Sequence, residues 1–359
     1  TSSKNIDLET FGIPGSNNAE VEFSTLPPIN FNGRMQYLIQ YPHGCLEQTT
    51  SSAFPQLFIT DIFDINTTKK KEIQQNVESA IKRVGSYQTP NGGFAYWPGQ
   101  NYADDWSSSY VGHFLLEAEK KGYVLPLGFR SSWLSYQQNI ARQWRSGTGS
   151  SDLAQAYRLY TLALSGNADI ASMNRLRETP NLSNEGKFRL AAAYGLVGQE
   201  FVSQQIIKSA NYDFSEGKYD YQTYGSSDRN RAMALETFVL LKDKLKAQEM
   251  AKNLAQRLSS DQWMSTQSTA YCLLALAKFA NMIGGKGIKA SITVNGANST
   301  INTDKTLANT GLGIRTGANS INVNNTGENL LYVSIIKSGI LPVGEERELQ
   351  RNLVANVVF

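Results

Sequence analysis

Cysteine and histidine each occur only twice in 359 residues, as Cys45, Cys272, His43 and His113. So few of either excludes a disulfide-stapled scaffold and leaves too little material for a zinc centre built from both. No run of 18 or more apolar residues exists, so no segment reads as a transmembrane helix. Neither sign of charge is scarce: 34 basic and 31 acidic residues give a net charge of +3 and are mixed along the chain. That pattern lacks the basic stripe of a nucleic-acid or membrane surface, and the charges read as solvated faces. The chain is 41% hydrophobic and 18% charged, with ample material for a core. It is also longer than the roughly 250–300 residues at which single cores divide, so more than one domain is expected. No secretory leader opens the chain at Thr1, and both ends look cut from something longer. Cys272 falls in the apolar helical run 268–278 and reads as a small core hydrophobe. A Cys45–Cys272 bridge stays open.

Periodicity divides the chain into three stretches. In residues 1–30, alternation at Ala19-Glu-Val-Glu-Phe-Ser24, before Pro27-Pro28, predicts one or two strands. From 31 to 283 the apolar period becomes helical, with about twelve candidate helices separated by Gly, Pro, Asn and Ser, or six hairpins. Small-aromatic steps at Ser109-Tyr110, Ala156-Tyr157, Ala193-Tyr194 and Ala270-Tyr271, with Ala234-Leu235, each open an apolar run. Such an echo, at spacings of roughly 36 to 47 residues, fits one hairpin per repeat, stacked in an open solenoid or a closed ring. After 284, alternation at Ile288, Ala290, Ile292 and Val294 runs into Asn295-Gly296, a strong hairpin signal. Further strands are expected at 313–315, 320–323, 330–336 and 353–359. The economical reading is one β domain with a helical domain inserted into it.

The most informative residues are Gly44-Cys45-Leu46-Glu47-Gln48. At the entrance to a helix, residues i and i+3 have Cβ atoms roughly 5–6 Å apart, so the Cys45 sulfur could reach the Gln48 carboxamide carbon. Displacement of ammonia by the thiolate would give an internal thioester, a stored acyl donor opened once by an outside amine or hydroxyl. Such a bond has to be kept from water. Tyr37, Tyr41, Phe54 and Phe58, with Tyr96 and Trp97 from the following loop, are candidate walls, though core packing explains each equally well.

Tyr41-Pro-His-Gly-Cys-Leu-Glu-Gln-Thr-Thr-Ser51, followed by Pro55, resembles the thioester region of the α2-macroglobulin and complement family, in particular its bacterial branch. Ile13-Pro-Gly-Ser16, the run from Gln88 to Trp97, Ala154-Gln-Ala-Tyr157, Tyr224-Gly-Ser226 with Arg229, and Ser265-Thr-Gln267 extend the likeness over nearly the whole chain. The resemblance implies a mainly α fold: an α/α toroid of about six hairpins (31–283) inserted into a small antiparallel CUB-like β domain (1–30 and 284–350). Residues 351–359 would begin a following macroglobulin-like domain. It further implies a protease inhibitor rather than a turnover enzyme, with no cofactor or metal. Cys45 and Gln48 would form the thioester, and Tyr41, His43, Gly44 and Glu47 would shape the motif. The implied partners are target proteases, captured through lysine amines, and the remaining domains of the full-length protein. The implied location is periplasmic or cell-envelope, with a lipoprotein anchor in the full-length protein an open alternative. Leu46 departs from the common Gly-Cys-Gly-Glu-Gln pattern and sets a larger side chain beside the bond.

Complement members use a toroid histidine to activate hydroxyl nucleophiles, whereas amines react without such help. His113, on an apolar helix, reads as structural. His43 lies within the motif, where an imidazole could lower the Cys45 pKa. The expected consequence is an amine-directed thioester. The rival readings are an α/α-toroid enzyme (cyclase, prenyltransferase or polysaccharide-acting) and a non-covalent protein-binding scaffold. Asp104-Asp105 falls short of an Asp-x-Asp-Asp acid, and Cys and His are too few for a prenyltransferase zinc site.

Overall fold

The computed structural model describes residues 2–26, 42–63, 65–147, 151–212, 214, 222–260, 262–283 and 287–344. Tyr37, Tyr41 and the strand expected at 353–359 lie outside them. The chain divides into two compact units: Thr1–Leu26 with Gly285–Phe359, and Pro27–Gly284.

The first unit holds two antiparallel sheets. One contains β1 (Ser2–Glu9), β6 (Ala318–Asn325), β3 (Ile288–Val294) and β4 (Ala297–Thr303) in that order. The other contains β5 (Leu307–Leu312), β2 (Asn18–Ser24) and β7 (Tyr332–Ser338). Alternate residues Val21 and Phe23 of β2, Ile288, Ala290 and Ile292 of β3, and Ile321 and Val323 of β6 form a common core. The Asn295-Gly296 turn joins β3 to β4 with Val294 opposite Ala297. Both turn residues have positive φ, 50° and 91°, as a two-residue I′ turn demands. No strand forms at 313–315. The edge strand is Leu307–Leu312 just before it, where pairing with β2 outweighs weak local alternation.

The second unit is helical: α1 (Leu46–Ala53), α2 (Gln56–Ile62), α3 (Thr67–Val84), α4 (Asp105–Lys120), α5 (Phe129–Gln143), α6 (Asp152–Leu164), α7 (Ile170–Arg177), α8 (Asn184–Leu196), α9 (Glu200–Lys208), α10 (Ser227–Leu240), α11 (Lys244–Ser259) and α12 (Thr266–Ile283). Packing runs α1–α4–α6–α8–α10–α12 and back to α1, which closes a ring and excludes the open solenoid. The small-aromatic steps all lie on these inner helices, which are buried on nearly every side. Outer helices such as α3 bury a single stripe, here Ile73, Val77, Ala80, Ile81 and Val84.

The inner helices run in the same direction. Contacts pair residues at similar heights: Ser51 with Tyr110, His113 with Tyr157, Ser226 with Ser268, and Glu117 with Lys278. Their N-termini therefore share one end of the ring, and several carry side-chain caps there: Asp104 on Ser107 N–H, Ser151 on Ala154 N–H and Ser183 on Gly186 N–H. Gly112 of α4 shows how tightly the layers fit, since a Cβ on it would sit 2.2 Å from the Trp133 ring of α5. Gly112→Ala should lower stability by about 1–3 kcal/mol, measured by denaturant unfolding of the helical transition, because the indole has no space into which to withdraw.

The axis of the ring is filled. Arg229 stacks on Trp106 at 4.5 Å in the layer nearest the helix N-termini. Tyr110, Tyr157 and Tyr271 form the next layer, and His113, Glu117, Glu236 and Lys278 the one beyond. Arg158, Arg189 and Arg229 are completely buried. These charges are therefore not solvated faces. They occupy core positions because each has a buried anion, carbonyl or aromatic face to meet, as with Arg189 and Glu236 at 2.5 Å.

Candidate functional site

Cys45 is the N-cap of α1, in extended conformation (φ −72°, ψ 174°), and only 3% exposed. Gln48, three residues on, is exposed. The two form a reciprocal capping box: the Cys45 side chain turns toward the Gln48 backbone N–H, and the Cys45 N–H donates to Gln48 Oε1 at 3.2 Å. Sulfur and carboxamide thus lie on the same side of the helix entrance.

Gly44 makes this approach feasible. Its φ of +87° lies in the left-handed region, and a Cβ on it would fall 2.0 Å from Gln48 Oε1 and 3.0 Å from Cδ. The space that a side chain would fill holds the Gln48 carboxamide. The Gly44 carbonyl is clamped from the other direction by the Tyr87 hydroxyl at 2.7 Å and Arg83 Nη2 at 3.3 Å. Neither residue was singled out by sequence. Tyr87 lies in a 3₁₀ turn (Gly85–Tyr87) after α3, and only the closed ring brings that turn against the motif.

Tyr96 comes from the loop between that turn and α4. Ala95 N–H donates to Tyr87 O at 2.9 Å, Phe94 N–H to Ser108 Oγ at 2.8 Å, and Leu46 N–H to Tyr96 O at 3.2 Å. The loop and the helix entrance are therefore tied backbone to backbone. Burial, and then the neighbouring Cys45, push the Tyr96 phenol pKa up. The Tyr96 ring stacks on Tyr224 at 5.2 Å, with Trp97 at its edge, 5.7 Å away. Trp97 is half exposed. Tyr224, at φ +50°, sits in a loop held by fully buried Arg229, which donates to Thr223 O at 2.8 Å, Thr223 Oγ1 at 3.0 Å and Gln267 Oε1 at 3.2 Å. Gly225 is required there, because a Cβ would meet the guanidinium at 1.9 Å. The Tyr224-Gly-Ser226 signature thus supports Tyr96 from behind.

Glu47 is half-buried and accepts from Ser51 Oγ at 2.7 Å; Ser51 in turn meets the Tyr110 hydroxyl at 3.0 Å. Burial raises the Glu47 pKa, and the Ser51 hydrogen bond partly opposes this. Phe54, at the far end of α1, packs into the ring interior against Tyr110, His113 and Phe114 rather than beside the motif. His43 is exposed beside Gly44. His113 lies deep in the axis with Nδ1 3.0 Å from the Tyr157 hydroxyl and Nε2 3.5 Å from Glu236 and 3.6 Å from Glu117. Cys45 and Cys272 are unbridged, and Cys272 packs inside α12 with Sγ 3.7 Å from the Asp228 carbonyl. Among the described residues, no group of three or more His, Cys, Asp and Glu could hold a metal, and no helix is long and apolar enough to cross a membrane.

Residues 21–150 match the family model of the A-macroglobulin TED domain. Alpha-2-macroglobulin of Escherichia coli is 24% identical over 377 residues, covering 97% of this chain and 22% of that protein. The chain is similar to bacterial α2-macroglobulins over nearly its whole length. Alpha-2-macroglobulin of Xylella fastidiosa is 28% identical over 277 residues, covering 71% of this chain and 17% of the relative. Among solved structures, native E. coli α2-macroglobulin from domain MG7 to the C-terminus matches with TM-score 0.70 at 21% identity, over 98% of this chain and 58% of that one. Salmonella α2-macroglobulin reacted with methylamine matches with TM-score 0.71 at 21% identity, over 96% of this chain and 24% of that one. The fold is therefore the toroid and β pair of that region, and the chain spans about a fifth of the length of the curated relatives it matches.

Proposed function

We propose that this chain is the covalent arm of a bacterial α2-macroglobulin-like protease inhibitor, in which Cys45 and Gln48 form an internal thioester that captures an attacking protease once. One observation carries the reading: the Gln48 carboxamide is folded back over side-chain-free Gly44 onto the N-cap cysteine, with its oxygen on the Cys45 N–H. Formation would proceed by attack of the Cys45 thiolate on Gln48 Cδ. Negative charge would collect on Oε1, where the Cys45 N–H already donates; the proton given up by the Cys45 thiol would pass to the amide nitrogen, and collapse of the oxyanion to the carbonyl would break the C–N bond and release ammonia. Opening reverses the geometry: an amine adds to the same carbon, the C–N amide bond forms, and the sulfur departs as the Cys45 thiol.

Lysine amines of the protease are the favoured nucleophiles. A hydroxyl would need a base at Gln48, and His113 is committed to Tyr157, Glu117 and Glu236 within the ring axis. The relatives support the target class: E. coli α2-macroglobulin has been solved activated by porcine elastase and by trypsin, and the Salmonella protein reacted with methylamine. The filled axis argues against an α/α-toroid enzyme, because the cavity such an enzyme uses is here occupied by Trp106, Tyr110, Tyr157 and Tyr271, each at most 1% exposed. A trap for foreign proteases would operate in the periplasm or at the cell envelope, where they arrive.

Intact mass spectrometry of the freshly purified full-length protein provides the test. Loss of ammonia lowers the mass by about 17 Da, and methylamine, adding about 31 Da as it caps Gln48, takes the mass to about 14 Da above the sequence value. Cys45→Ala should show neither change. A full sequence mass that is unresponsive to methylamine would leave only the scaffold reading.

A further inference from the structure

Building on the thioester reading, we propose that Tyr87 is a positioning residue for the acyl chemistry at Gln48: its hydroxyl aims and strengthens the Cys45 N–H that receives the oxyanion. The two ends of one peptide group carry the argument. The Gly44 carbonyl and the Cys45 N–H belong to the same peptide unit, and in a trans peptide C=O and N–H point in opposite directions. The carbonyl accepts from the Tyr87 hydroxyl at 2.7 Å and from Arg83 Nη2 at 3.3 Å, while the N–H donates to Gln48 Oε1 at 3.2 Å. Holding the first end aims the second. Gly44 has no side chain to keep it at φ +87°, so the grip on its carbonyl comes from outside the motif. Tyr87 is itself fixed: it is 1% exposed, it ends the 3₁₀ turn Gly85–Tyr87, and its carbonyl accepts from Ala95 N–H at 2.9 Å.

When an amine lone pair attacks Gln48 Cδ, the carbonyl electrons move to Oε1, against the Cys45 N–H. Collapse of the intermediate re-forms the carbonyl, breaks the C–S bond and sends its electron pair to sulfur. The new bond is the C–N amide, and the proton lost by the attached amine ends on sulfur, so Cys45 returns as a thiol. Charge on Oε1 is greatest between the two steps, so the strength of the N–H facing it bears directly on the barrier. A hydrogen bond accepted by a peptide carbonyl draws electron density from the nitrogen and makes its N–H a better donor. Satisfying the Gly44 carbonyl takes one donor. Two converge on it, and Arg83 adds a cation to the buried phenol. Both act through the peptide group, which carries their polarisation to the oxyanion.

Tyr87→Phe removes the hydroxyl and keeps the ring. In the full-length protein, the ammonia deficit in intact mass reports the bond, and thiol release times its opening by ammonia, methylamine and ethylamine. The expected result is a deficit in both proteins with opening about 5-fold slower in Tyr87→Phe, and by the same factor for all three amines, since each places its charge on the same oxygen. A residue that only props up the fold would, when lost, loosen the site, speed opening and sort the amines by size. Equal or faster opening, or a factor that tracks amine size, therefore overturns the proposal. Absence of the deficit in the parent protein would overturn the thioester reading itself, and this proposal with it. If Tyr87→Phe alone lacks the deficit, Tyr87→3-fluorotyrosine decides. As a stronger donor of nearly the same size it should open about 2-fold faster than the parent, and an equal or slower rate rejects the role.

Discussion

Gly44→Ala should abolish the thioester and leave the toroid folded. The methyl would occupy a point 2.0 Å from Gln48 Oε1, so the carboxamide has to swing away from the Cys45 N–H. The backbone would also have to hold an alanine at φ +87°, which costs roughly 1–2 kcal/mol where it is tolerated at all. Relief of that strain by a peptide flip would pull the Gly44 carbonyl off Tyr87 and Arg83 and move the N-cap itself. Either route separates sulfur from acyl carbon, and a displacement of about 1 Å is enough to forfeit most of the advantage of an oriented pair. Mass spectrometry of Gly44→Ala should show the full sequence mass and no uptake of methylamine, while thermal unfolding shifts by only a few degrees, as a local loss of about 1–2 kcal/mol implies. Retention of the ammonia deficit in this variant would mean that the bond does not depend on the Gln48 position described here.

The juxtaposition of Cys45 and Gln48 was readable from sequence because it is local: Gly44, Cys45 and Gln48 lie within one helical turn, and helix geometry brings them together. The stacked hairpins were readable because Tyr110, Tyr157, Tyr194 and Tyr271 recur in successive apolar runs, all on inner helices, but their closure into a ring rests on packing of the last inner helix against the first and was not. Nor was the second layer of the site. Arg83 and Tyr87 look like the polar end of an amphipathic helix, and only closure of the ring turns them onto Gly44. Tyr224 could be recognised as part of a signature but carried no role, because its contact with Tyr96 spans 128 positions of chain. Arg158, Arg189, Arg229 and Glu236 were misread most plainly. A charge within an apolar helix has no one-dimensional signal that distinguishes a solvated face from a paired core position; the partner lies on another helix.

Glu236→Gln should be among the most damaging single substitutions in the helical unit. Glu236 is fully buried and carries both Arg189 Nη2 at 2.5 Å and Lys278 Nζ at 2.7 Å, with His113 Nε2 at 3.5 Å. Arg189 has little else: its guanidinium lies over the Tyr157, Tyr160 and Tyr271 rings, 5.2, 4.6 and 5.8 Å from their centroids. Neutralising Glu236 leaves Arg189 and Lys278 facing the single charge of Glu117, and stranding a buried ion in this way costs about 3–5 kcal/mol. Arg189→Gln combined with Glu236→Gln should cost less than the sum of the two single changes, since the pair leaves no uncompensated charge between them. Acid probes the same layer. Burial lowers the His113 pKa to about 4, so the folded ring binds fewer protons than the unfolded chain between its ordinary value of 6.5 and that point. Stability is then fully present above pH 6.5 and falls as pH drops toward 4, by up to about 3 kcal/mol from this one group. Below pH 4.5, Glu117 and Glu236 add to the loss, because Lys278 holds the first and Arg189 the second well under the usual carboxylate range. His113→Gln should flatten the unfolding midpoint between pH 6.5 and 4.5 while keeping the steeper fall below it. A midpoint in the parent protein that does not change across that upper window would show that the axis takes up a proton at His113 without cost, and that its charges do not hold the ring as described.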